Sequence, residues 1–126
     1  MDTYLLISSI LITLMAVSHS VVGELAIIGP LQKVPGLPAL RGSIRLTKMT
    51  LRFAWHVTSV LGIGLAAILF YYSLDTGPDA DRLFILKTLS LTFFAGFVVS
   101  IIGSRMKHPA WLVFLVVSIL TWLGGR

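Results

Sequence analysis

His19 and Glu24 sit inside the apolar run from Met15 to Pro30, and His56 sits inside a second apolar run. An ionisable side chain within a membrane-length segment is expensive and is a functional suspect by default. Imidazole and carboxylate together suit zinc, iron or copper, and imidazole is the usual axial ligand of haem. The same groups also pass protons between helices. At ~100° per residue His19 and Glu24 lie about 140° apart around one helix, so they do not share a face. Glu24 and His56 each lie about one turn from the same membrane surface and can meet, whereas His19 lies more than two turns deep. The competing explanations are structural: an interhelical hydrogen bond for His19, pairing with Arg52 for Glu24, and an interfacial place beside Trp55 for His56. His108, ahead of Pro109, reads as a solvated cap.

These residues need a membrane to position them. Hydrophobic residues make up 56% of the 126-residue chain and charged residues 12%, with a mean hydropathy of +0.95, well outside the range of soluble domains. Runs at about 4–28, 51–74, 83–103 and 110–125 approach the roughly 20 residues that cross a bilayer. They predict an all-α, polytopic membrane protein: one transmembrane domain over 1–126, folded as an up-and-down bundle of four helices. The last run is short for a full crossing. Asp2 precedes the first run and no lysine or arginine does, unlike a cleavable secretory signal, so this span is expected to stay in the mature protein. With no cysteine, disulfides, thiolate metal sites and cysteine nucleophiles are excluded.

Small residues mark the faces on which helices approach one another. They are Ala16, Ser20, Gly23 and Ala26 in the first span, Gly62 and Ala66 in the second, and Gly96, Ser100 and Gly103 in the third. Gly29-Pro30 is expected to end the first helix, and Pro35, Gly36 and Pro38 continue an irregular turn. Arg41, Arg45, Lys48 and Arg52 then recur at helical spacing and form one basic face at the interface. There each basic residue gains about 1 kcal/mol beside anionic lipid. An acidic turn from Asp75 to Arg82 has Gly77-Pro78 as its helix stop, and Asp79 and Asp81 as cap and first-turn acids. Lys87 is expected to snorkel to the interface, and Pro109 to open the last span.

Basic residues crowd the first and third turns, so segments 29–50 and 104–109 are expected to be cytoplasmic and both termini periplasmic in a bacterial inner membrane. The net charge of +5 concentrates at that rim, which points to lipid and away from nucleic acid. No glycine-rich phosphate loop, serine nucleophile motif or paired-carboxylate site is present.

His19-Ser20-Val21-Val22-Gly23-Glu24, followed by Leu51-Arg52-Phe53-Ala54-Trp55-His56, resembles a group of small, functionally uncharacterised bacterial four-helix membrane proteins. These carry an HSxxGE motif in the first helix and a WH pair opening the second. A looser similarity is to copper-resistance D-type and protoporphyrinogen oxidase-like membrane bundles, with Leu86-Lys87 as a further echo. That similarity implies a first-helix histidine associated with haem or metal. The leading expectation is therefore a metal ion, a divalent transition metal, or haem bound by His19, Glu24 and His56 for a redox or metal-handling role. Two alternatives stay open: an accessory subunit or assembly factor of a larger membrane complex, and a small oligomeric ion or proton-coupled transporter. The small-residue faces also suit a homo-oligomer.

Overall fold

The computed structural model describes residues 1–74, 77 and 79–126. The chain is all-helical, with α1 over Thr3–Gln32, α2 over Ile44–Leu74, α3 over Ala80–Ser104 and α4 over Ala110–Gly124. The first three, of 30, 31 and 25 residues, are long and apolar enough to cross a membrane. Helix α4 has 15 residues, about 22 Å at the usual rise. Of the acidic turn expected between α2 and α3, Asp75, Thr76 and Pro78 lie outside the described residues. Asp79 caps α3, its carboxylate accepting from the Asp81 N–H at 3.3 Å.

Helix α1 does not stop at Gly29-Pro30. Residues Glu24–Ile28 form a π-helical turn, and the Gly29 N–H bonds the Glu24 carbonyl five residues back. A proline in a regular helix clashes with the carbonyl four residues before it. A widened turn just ahead of Pro30 eases that conflict, and α1 runs on to Gln32. A Cβ on Gly29 would come within 2.8 Å of the Glu24 carbonyl oxygen, so this turn needs a glycine there. Helix α2 likewise begins at Ile44, well before the apolar run starts at Leu51. Arg41 precedes it in a left-handed conformation with φ of 49°. The basic helical face thus comprises Arg45, Lys48 and Arg52 without Arg41.

The closest helix pairs are α1 with α2 and α3 with α4, joined by α1 against α4. Neighbours run antiparallel, because the N-terminal end of α1 meets the C-terminal ends of both α2 and α4. Leu5, Ile12, Leu69, Leu86, Phe93 and Val117 form the apolar core. Buried hydroxyls tie it together through backbone carbonyls. Ser9 donates to Ala66 O at 2.9 Å, while Ser90 and Ser118 donate to each other's carbonyls at 2.8 and 2.9 Å.

One residue gathers the chain termini. Asp2 caps α1 by accepting from the Leu5 N–H at 3.2 Å, donates its own N–H to Ser73 O at 2.7 Å, and pairs with Arg82 at 3.6 Å. Gly124 passes close by, where a Cβ would strike Leu5. Arg82 is 7% exposed, so truncating it empties a buried site and takes the cation away from the Asp2 carboxylate. Arg82→Ala is expected to lower stability in detergent by about 3 kcal/mol. Arg45→Ala, on the exposed face of α2, should stay within about 0.5 kcal/mol; thermal unfolding of the two variants checks this contrast.

Candidate functional site

At the opposite end from Asp2, two pairs of residues with helical i, i+4 spacing face each other: Ser20 and Glu24 on α1, Arg52 and His56 on α2. Such a spacing places two side chains on one helical face. The His56 ring lies between the first pair, with Nδ1 2.6 Å from the Ser20 hydroxyl and Nε2 3.0 Å from Glu24 Oε2. Arg52 Nη2 donates to the other oxygen, Glu24 Oε1, at 2.5 Å. An ionised carboxylate only accepts, which puts the imidazole proton on Nε2 and makes Nδ1 the acceptor of the Ser20 O–H. The result is one hydrogen-bonded series of hydroxyl, imidazole, carboxylate and guanidinium. It is semi-exposed, with side-chain exposures of 36% for His56, 26% for Glu24 and 55% for Arg52. At such exposure solvent screens the Arg52–Glu24 pair, and it adds little to stability.

His19 belongs to a separate arrangement beside it. Its ring stacks on Trp55, with centroids 4.3 Å apart and planes 7° from parallel. The Trp55 indole N–H donates to the His19 carbonyl at 2.9 Å. Thr58 donates its hydroxyl to Trp55 O at 2.7 Å, and so accepts from His19 Nε2 at 3.0 Å. Gly23 makes room for this, since a Cβ there would fall inside the indole ring. One turn further out, Lys48 and Gln32 exchange bonds: Lys48 Nζ donates to Gln32 O at 2.5 Å and Gln32 Nε2 to Lys48 O at 3.1 Å.

Glu24 and His56 therefore meet, and His19 does not join them as a third ligand. Among the described residues no three His, Cys, Asp or Glu side chains come together to hold a metal ion. The donors are committed elsewhere: Ser20 and Glu24 take both His56 nitrogens, and Arg52 takes half of the carboxylate. The metal or haem trio expected from the sequence is not a cluster.

Of the packing residues, Ala16, Gly23 and Ala66 are buried, and Gly62 approaches Ala16 so closely that a Cβ would lie 3.1 Å from it. Ala26 is exposed and Ile28 takes the buried position, because the π turn rotates the face. Gly96 packs under the Phe114 ring, Ser100 is half-buried, and Gly103 is exposed with open space around it. Arg41 and Arg45 are exposed and Lys48 is half-buried. Spacing alone held signals for two residues that composition filed under packing or interface: Ser20 is four before Glu24, and Trp55 is beside His56. Thr58 and Gln32 carried no signal of their own.

No protein family, curated protein or solved structure matches this chain.

Gly23→Ala is expected to displace the indole and destabilise the protein by about 1–3 kcal/mol, with altered tryptophan emission. Ala26→Val, at an exposed position, should be neutral within about 0.5 kcal/mol; equal melting temperatures for both variants would count against this reading.

Proposed function

We propose that the chain crosses the bacterial inner membrane four times, with both termini periplasmic, and acts as a proton-responsive accessory module of a larger membrane complex. The observation that carries this reading is the engagement of both His56 nitrogens, by a hydroxyl on one side and a carboxylate on the other. A hydroxyl both donates and accepts. Neutral His56 accepts from Ser20 at Nδ1; protonated His56 donates there instead, after only a rotation of the Ser20 O–H. Both ring nitrogens thus keep a partner in either protonation state, and histidine is the side chain whose charge changes nearest neutral pH.

Protonation changes the strength of the contact. A charged imidazole facing a carboxylate makes a bond roughly twice as strong as a neutral one. Because Ser20 and Glu24 lie on α1 and His56 on α2, the added strength acts between the helices. The π turn that begins at Glu24 is where α1 can respond, since such turns are local departures from the regular ladder.

Other readings fit less well. Conduction through one bundle would have to pass the close Ala16–Gly62 approach and the buried Ile12 and Leu69. Ser20 resembles an activated nucleophile, yet it stands within a continuous helix, whose backbone N–H groups bond to carbonyls four residues back. They are not free to stabilise an oxyanion. The basic rim of Arg41, Arg45 and Lys48 suits anionic lipid headgroups on the cytoplasmic side.

With no native cysteine, spin labels at Ile27→Cys and Leu51→Cys, both exposed positions, report on α1 against α2 in lipid nanodiscs. The interlabel distances should be narrower at about pH 5 than at about pH 8, and the same at both in a His56→Gln background. Unchanged distances in the parent protein would overturn the proposal.

A further inference from the structure

A second feature, at the Asp2 end of the bundle, has no part in this network. Between α3 and α4 runs an open groove of about 400 Å³, a size typical of small-ligand clefts. Its walls are Leu91 and Phe94 on α3 and Ile119 and Trp122 on α4, all exposed. Its floor holds Ser90 and Ser118, whose hydroxyls are spent on each other's carbonyls. The groove therefore offers hydrocarbon and aromatic surface with no unmet hydrogen bond on these two serines.

One cation lines the groove and a second lies against its Trp122 wall. Arg126 lines the groove. Lys87 lies 3.6 Å above the Trp122 ring centroid and donates to Trp122 O at 3.1 Å, which holds its ammonium at the last turn of α4. Among the described residues neither cation is ion-paired with a carboxylate. This differs from the other end, where Arg52 is matched by Glu24. An apolar channel flanked by two cations that pair with no aspartate or glutamate side chain among the described residues is complementary to one class of molecule, an amphiphile with an anionic head.

We propose that this groove is a binding site for an anionic phospholipid, with an acyl chain along Leu91, Phe94 and Ile119 and the phosphate between Lys87 and Arg126. The site stands apart from the His56 network, so either proposal survives failure of the other.

Native mass spectrometry of the protein with added phosphatidylglycerol or phosphatidylcholine tests it. Phosphatidylglycerol should be retained preferentially, and Lys87→Gln and Arg126→Gln should each weaken that preference by about fivefold. Leu91→Trp, which fills the groove and leaves the charges in place, should weaken retention of both lipids. Ala26→Val, exposed at the opposite end and outside both basic groups, should change nothing. Since Lys87→Gln also loses a helix-terminal bond, Arg126→Gln keeps the test valid if that variant unfolds. Equal retention of the two lipids by the parent protein would overturn the proposal. So would a preference that survives Arg126→Gln, or one that Leu91→Trp leaves intact, which would indicate an ion site without a chain in the groove.

Discussion

An imidazole held by both nitrogens across a helix interface is the interaction on which the Glu24 end of this protein depends. His56 reaches from α2 to Ser20 and Glu24 on α1, so it fixes the register of the two longest helices at one level. The neighbouring contacts agree with that register. Trp55 lies over Gly23 and bonds the His19 carbonyl, Arg52 meets Glu24, and Lys48 meets Gln32. Slipping either helix by one residue would break all of them together. In a low-dielectric setting such networks are costly when partly satisfied and specifying when complete.

The two ends of the bundle solve different problems. At the Asp2 end the chain must close four helix ends with little material, and half-buried Asp2 does so: its carboxylate caps α1 and pairs with Arg82 of α3, while its N–H bonds Ser73 O of α2. At the Glu24 end the polar groups are semi-exposed and bond one helix to the other through side chains. Between them the interface is small-residue and apolar, as at Ala16 against Gly62.

Much of this was legible in the sequence, for physical reasons. Apolar runs of bilayer length declared the helices, and equal depth from one rim brought Glu24, Arg52 and His56 to the same level. The failures are equally specific. Gly29-Pro30 reads as a stop because proline usually is one, but a π turn absorbs the conflict, and π turns leave no periodic signature. Arg41 matches the helical spacing of its neighbours, yet a positive φ holds it outside α2. Ser20 reads as a small packing residue, although its hydroxyl and its i, i+4 relation to Glu24 are what place it on the histidine. Composition near His19 and Glu24 suggests a ligand trio, but rotation around α1 puts His19 on Trp55 instead.

The account stands on which nitrogen of His56 carries the proton when the ring is neutral. Nitrogen-15 NMR of histidine-labelled protein in lipid bilayers, at alkaline pH, reads this directly. Hydrogen on Nε2, with Nδ1 showing the signature of a hydrogen-bond acceptor that Ser20→Ala removes, is the expected result. Hydrogen on Nδ1, or an Nδ1 signal indifferent to Ser20→Ala, would contradict the hydroxyl–imidazole–carboxylate series from which the function is argued.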